Sequence, residues 1–160
     1  MTDIAGLIRT LANAGVECIV AGGVAANLLG SARTTVDLDV VYRRTTDNME
    51  RLVAALVPLH PYLRDAPPGL PFVFDVDTIR RGLNFTLTTD LGALDLLGEI
   101  AGGGSYEDLA AESLLAHELG QSVRCLSLER LIATKRAAGR TKDLIALSEL
   151  EALLEERDRR

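Results

Sequence analysis

The chain carries two aspartates two positions apart, Asp37 and Asp39, inside the apolar run from Val36 to Tyr42, and no other feature constrains the fold so tightly. The run has the length and character of a strand. Side chains at i and i+2 of a strand point to one face, so the two carboxylates share a face while Leu38 and Val40 point to the other. On an otherwise apolar sheet such a pair repels, and it costs several kcal/mol to desolvate unless a cation or strong donors compensate. The fold must supply that compensation on the acidic face.

The residues upstream suggest how. Cys18 to Ala21 reads as a short buried strand, stopped by Gly22 and Gly23. Val24 to Leu29 then has helical spacing, Gly30 ends it, and a polar connection carrying Arg33, Thr34 and Thr35 leads into the acidic strand. A turn without Cβ atoms lets backbone N–H groups approach an anion, and the helix N-terminus adds its positive end. Oxygen-only ligands on one face suit a hard cation such as Mg²⁺, which is typically shared with substrate phosphates. A lone Asp-x-Asp is more often a strand end with solvated acids. The conjunction with Gly22-Gly23 and with a later acid, Asp95 in Ala93-Leu94-Asp95-Leu96-Leu97, favours a metal site. Taken alone, Asp95 also reads as a polar residue that caps something nearby.

Ala21-Gly22-Gly23, the spacer Val24 to Val36 and Asp37-Leu38-Asp39-Val40 together resemble the signature of the polymerase-β-like nucleotidyltransferases, with the spacer at the long end of that pattern. The resemblance implies an α+β nucleotidyltransferase fold, a small mixed β-sheet flanked by helices with a C-terminal helical segment. It implies Asp95 as a third carboxylate from a later strand, and two Mg²⁺ ions, with Mn²⁺ as a substitute, bridging Asp37, Asp39 and, for one ion, Asp95. It further implies in-line attack of a hydroxyl on the α-phosphorus of a nucleoside triphosphate, with pyrophosphate leaving. Asp95 is then the base or a base-side ligand, and the triphosphate lies against Gly22 and Gly23. Arg33 and Thr35 stand where they can contact phosphate, a surface ion pair being the equal alternative for Arg33.

A second stretch, Lys135-Arg136-Ala137-Ala138-Gly139-Arg140-Thr141-Lys142-Asp143, is similar to one near the C-terminus of small bacterial nucleotidyltransferase-like proteins, some related to abortive-infection-type toxins. Its cations, Lys135, Arg140 and Lys142 among them, suit a contact to triphosphate or acceptor nucleic acid. The plain reading weighs the same: a helix C-terminus whose cations oppose the dipole, with Thr141 or Asp143 capping the next helix.

At 160 residues the chain suits one domain, with a catalytic core over about 1–100 and a C-terminal hairpin and helices over about 105–156. A net charge of −6 gives no global attraction for nucleic acid, so any such partner needs the local basic cluster. Cys18 and Cys125 are too few for a disulfide framework, and with no leader and no membrane-length apolar run a cytoplasmic protein is expected.

Amphipathic helices are expected from Met1 to Ala14, capped near Asp3; from Thr45 or Thr46 to Val57; from Ser127 to Ala138; and from Thr141 to Arg157, with Leu144, Leu147, Leu150, Leu153 and Leu154 as its packing stripe. Phe72 to Phe74 and Asn84 to Thr88 read as strands, the latter forming a hairpin with the Asp95 strand, which has the Asp37–Asp39 strand as its other neighbour. His60 to Pro71 has no period and reads as a surface excursion or lid, Gly98 to Gly104 as a connector, and Glu112 to His117 with Gln121 to Leu126 as a peripheral hairpin.

The expected function is Mg²⁺-dependent transfer of a nucleoside monophosphate to a hydroxyl of tRNA or other RNA, of a protein, or of a small molecule such as an antibiotic. A homodimer or partner protein would complete the site of so short a chain. The competing expectation is a catalytically weak nucleotide-binding component of a toxin–antitoxin pair.

Overall fold

The computed structural model describes residues 1–118 and 120–160, all but the Glu118 side chain. Helix α1 (Ile4–Asn13) begins at Asp3, whose carboxylate accepts a hydrogen bond from the Gly6 amide, and buries Leu7, Ile8 and Leu11. Strand β1 (Cys18–Ala21) runs into helix α2 (Gly22–Leu28), and strand β2 (Asp37–Tyr42) follows. The two glycines therefore form the first turn of α2, where a separate turn before it was expected.

Helix α3 (Thr46–Leu56) is capped by the Thr45 hydroxyl and passes through a short 3₁₀ turn at Val57–Leu59. Strand β3 (Tyr62–Leu63), helix α4 (Val76–Arg81) and the hairpin of β4 (Phe85–Thr89) and β5 (Gly92–Leu97) come next. Strands β6 (Glu99–Ile100) and β7 (Gly104–Ser105) make a two-residue ladder within the glycine-rich connector, and helix α5 (Tyr106–Ala110) leaves it. Strands β8 (Leu114–Glu118) and β9 (Gln121–Cys125) precede helices α6 (Leu128–Ala138) and α7 (Thr141–Asp158).

Seven strands form one mixed sheet in the order β3-β4-β5-β2-β1-β9-β8. β2 lies antiparallel to β1 and parallel to β5, and the hairpin β4–β5 is antiparallel. The α+β architecture with a mixed sheet flanked by helices is as expected, including β5 between its hairpin partner and the acidic strand. The β8–β9 hairpin is less peripheral than expected, because β9 pairs in parallel with β1 and extends the central sheet.

Three local expectations are corrected. Phe72 to Phe74 forms no strand; after Pro71 its rings pack instead, Phe72 edge-on to Tyr62 at 6.2 Å between centroids and tilted against Phe74 at 6.4 Å. His60 to Pro71 is no bare excursion, since Tyr62 and Leu63 pair with Thr88 and Leu87 at the sheet edge. Leu144 is 53% exposed, so the stripe of α7 begins only at Leu147, and Leu150 is its buried member.

Alternation along β2 divides the sheet. Leu38, Val40 and Tyr42 are buried on one side, and α1 packs over Val20 and Val40 there. Asp37 and Asp39 face the other side, under α2, α6 and α7. No helix among the described residues is long and apolar enough to cross a membrane.

Candidate active site

The parallel register of β2 and β5 sets Asp39 directly opposite Asp95, and Asp37 lies on the same face two positions along β2. One carboxylate oxygen from each of the three acids lies within 4.8 Å of the others. Each is partly buried. Three carboxylates this close cannot all stay ionised without compensation, and Asp39 carries the consequence. Burial first, then the charges of Asp37 and Asp95 and a hydrogen bond to Asp95, push its carboxyl up to about 7, with Lys135 opposing. Its Oδ1 is buried with no hydrogen-bond partner.

Two glycines make the room. A Cβ on Gly22 would lie 2.0 Å from Asp39 Oδ2, and one on Gly23 would lie 2.8 Å from Thr35 Oγ1. Gly22 also has φ +59°, a conformation side chains resist. The sequence suggested glycine here for an approaching anion. In the structure the absent Cβ atoms admit Asp39 and Thr35, so that the first turn of α2 sits directly on the acidic strand. Thr35 donates to the Asp37 carbonyl at 3.1 Å, and Asn27 Nδ2 donates to the carbonyls of Ser31 and Arg33 at 3.0 and 2.7 Å, which shapes the connection into β2.

Facing the acids across a cavity of about 450 Å³ are Arg33, Lys135, Arg140 and Lys142. Gly23, Thr35 and the three acids line the same cavity, so every site residue singled out in the sequence but Gly22 meets there. Gly22 lines an adjoining cavity of about 250 Å³ that shares Asp39, Lys135 and Arg140. The cations are not equivalent. Arg33 pairs with Glu149 on α7 at 2.8 Å, both half exposed. Lys135 and Arg140 converge on Asp143, at 3.3 and 2.6 Å, and Asp143 is fully buried. Its carboxylate also accepts from the Arg140 amide at 3.3 Å, closing the first turn of α7. The plain reading of this basic stretch is the one seen, with the cations capping and pinning the α6–α7 junction; they also border the acidic cavity. Lys142 is exposed and has no ion pair among the described residues.

Sequence reasoning missed one residue. Arg64, following β3, places Nη2 at 2.6 Å from Asp95 Oδ1 and Nη1 at 3.8 Å from Asp37 Oδ2. Nε and Nη2 also donate to the Leu87 carbonyl at 3.2 and 2.7 Å. No local pattern announces it, because its position depends on the pairing of β3 with β4.

A cavity of about 310 Å³ on the opposite side of the sheet is lined by Ile8, Leu11, Val20, Tyr106 and Val123. Its one acid, Glu17, is already paired with Arg43 and Arg51 at 2.8 and 3.4 Å. The free thiol of Cys18 also lines it, but burial pushes that thiol up to about 12, so it is no ready nucleophile. His60 pairs with Asp90 at 2.6 Å and His117 with Ser122 at 3.0 Å, both away from the acids.

The donor set fits a hard divalent cation. It is all carboxylate oxygen, one buried oxygen lacks any partner, and a cation would return the Asp39 carboxyl to its ionised form.

No protein-family model and no curated protein matches this chain. Solved structures do. The whole chain superposes on 97% of a candidate nucleotidyltransferase from Thermotoga maritima, with TM-score 0.52 and 15% identity. Over 98% of its length it matches 95% of ANT(2″)-Ia in complex with adenylyl-2″-tobramycin, with TM-score 0.55 and 17% identity. The solution structure of ANT(2″)-Ia, an antibiotic-resistance factor, matches over 90% of its chain with the same TM-score and identity. At such identities the likeness is one of architecture, and with the mixed sheet and helices above it leads to one conclusion: this chain has the nucleotidyltransferase fold.

Proposed function

We propose that this protein transfers a nucleoside monophosphate from a nucleoside triphosphate to a hydroxyl acceptor, with Mg²⁺ as cofactor. The observation that carries the reading is the cavity in which Asp37, Asp39 and Asp95 face Arg33, Lys135, Arg140 and Lys142. A substrate that is polyanionic at one end and must be attacked at phosphorus needs both halves. The cations hold the triphosphate, and the acids hold the cation that accompanies it. The fold shared with an enzyme solved carrying adenylyl-2″-tobramycin supports the same chemistry.

Asp37, Asp39 and Asp95 would hold the divalent cation, which would supply charge neutralisation at the α-phosphate and acidify the attacking hydroxyl. The chain's own residues supply the rest. Lys135 and Arg140, fixed from behind by buried Asp143, neutralise the β- and γ-phosphates and stabilise the charge that develops on the leaving pyrophosphate. Lys142 and Arg33 meet the triphosphate from the rim. Thr35 and the first turn of α2 keep Asp37 and Asp39 in position. The acceptor oxygen forms a bond to the α-phosphorus as the bond to the bridging oxygen of pyrophosphate breaks, and Asp95 receives the hydroxyl proton. The acceptor is a hydroxyl of a small molecule, a protein or an RNA end.

Release of pyrophosphate from the four nucleoside triphosphates, followed with Mg²⁺ and mixed acceptors, tests this reading. Wild type should release it only when an acceptor is present, and Asp37→Asn should lose at least 100-fold in rate, roughly the scale expected when a transition-state charge loses its stabilising partner. Release that persists in Asp37→Asn contradicts it.

A further inference from the structure

We propose that Arg64 competes with the divalent cation for Asp95 and thereby sets how tightly the three-acid cluster takes a metal. The inference rests on the metal-site reading above and deepens it.

Arg64 occupies the cation's place on two of the three acids. Its Nη2 hydrogen bond at 2.6 Å engages Asp95 Oδ1, and its Nη1 lies 3.8 Å from Asp37 Oδ2. An oxygen that accepts a short charge-assisted bond is less available as a metal ligand, and a positive charge this near lowers the affinity for a second one. An arginine cannot relieve the conflict by losing its proton. Asp39 makes no hydrogen bond or ion pair with Arg64 among the described residues and keeps its bare buried oxygen. The guanidinium thus divides the cluster, compensating Asp95 and Asp37 while leaving Asp39 for an incoming cation.

The position is built into the fold. The Leu87 carbonyl holds the guanidinium from behind through two donors, and the Arg64 amide donates to the Thr86 carbonyl at 3.0 Å, opposite Asp95 in the β4–β5 register. Only two non-glycine residues among the described ones have positive φ, His60 at +54° and Asp65 at +64°. They bracket the segment that delivers Arg64. Left-handed backbone at non-glycine residues persists only where the surroundings impose it. The pairing of β3 with β4 at the sheet edge leads directly into Arg64. Lys135, by contrast, is committed to Asp143 and approaches the acids from the helical side.

The test is a titration of chelator-treated protein with Mn²⁺, read by electron paramagnetic resonance, for wild type, Arg64→Met and Arg64→Lys. Arg64→Met should bind Mn²⁺ about tenfold more tightly, the scale of removing one like charge at a partly exposed site. Arg64→Lys should stay near wild type, because it keeps the charge. The gain should vanish in Arg64→Met combined with Asp95→Asn. Arg64→Gln, which keeps a donor for the Leu87 carbonyl, replaces the Met variant if that one does not fold and should shift affinity the same way. Equal or weaker Mn²⁺ binding in the folded neutral variants overturns the role given to Arg64 and leaves the metal site standing. No Mn²⁺ binding in any of these proteins overturns the metal-site reading, and the inference with it.

Discussion

Asp39 Oδ2 lies where a side chain on Gly22 would have to go, 2.0 Å from the position of its Cβ. The left-handed backbone at Gly22, φ +59°, adds a second demand for glycine. Gly22→Ala is therefore expected to destabilise the protein by about 2–4 kcal/mol, left-handed strain and overpacking together, measured by urea unfolding. The clash needs Asp39 and the strain does not. In an Asp39→Ala background the same substitution should cost less, by about 1 kcal/mol. Simple additivity would show that the glycine serves backbone conformation alone.

Asn48 is the buried polar group that ties the start of β1 to the end of β2. It is fully buried, accepts from the Glu17 amide at 2.6 Å, and donates to the carbonyls of Glu17 and Arg43 at 2.9 and 2.8 Å. Asn48→Ala leaves the Glu17 amide and the Arg43 carbonyl without partners, while the Glu17 carbonyl keeps its bond from the Arg43 amide at 3.1 Å, and should cost about 2–4 kcal/mol. Asn48→Asp should cost at least as much, because a carboxylate cannot donate to two carbonyls. A loss in either variant below about 0.5 kcal/mol, the level of an ordinary surface change, contradicts this role.

Asp143 links stability to pH. Burial alone would raise its carboxyl, but hydrogen bonds and charge from Arg140 and Lys135 outweigh it and hold the group below the ordinary 3.8. An acid depressed in the folded state contributes stability above its unfolded value and loses that contribution as pH falls through its folded value. The stability gap between wild type and Asp143→Asn should be full at pH 7 and shrink steadily below pH about 4. A gap unchanged down to pH 2 would mean that the ionised form contributes nothing.

Lys142 separates binding from folding. It is exposed, lines the cavity and makes no ion pair among the described residues. Lys142→Ala should leave unfolding within about 0.5 kcal/mol of wild type yet weaken triphosphate binding about tenfold, the worth of one charge-assisted contact. Calorimetric titration with a non-hydrolysable nucleotide reads the second effect. Unchanged affinity would remove Lys142 from the site.

Much of this was legible in the sequence because the signals are local. The i, i+2 spacing sets Asp37 and Asp39 on one face, the turn at Thr89–Gly92 makes the Asp95 strand half of a hairpin, and the family resemblance implied that the two strands are neighbours. Arg64 and the buried role of Asn48 were not legible, since each is defined by a partner 31 residues away, Asp95 and Glu17; Asp143 was legible as a candidate cap, but not its burial between Arg140 and Lys135. Phe72 to Phe74 misled because aromatic residues favour strands, yet here the rings pack on Tyr62 and leave the backbone unpaired with the sheet. Leu144 misled because helical spacing shows which residues align, while tertiary packing decides which of them are covered.

The most direct test of the central claim is transfer of label from α-³²P-labelled nucleoside triphosphates, with Mg²⁺, to total tRNA, to the protein itself and to a panel of hydroxyl-bearing antibiotics, comparing wild type with Asp37→Asn and Asp95→Asn. The expected result is label on one acceptor class with wild type, abolished by chelation and by both substitutions. Tight Mg²⁺-dependent nucleotide binding with no label on any acceptor, with or without other proteins of a cell extract, would contradict nucleotidyl transfer and leave a protein that only binds.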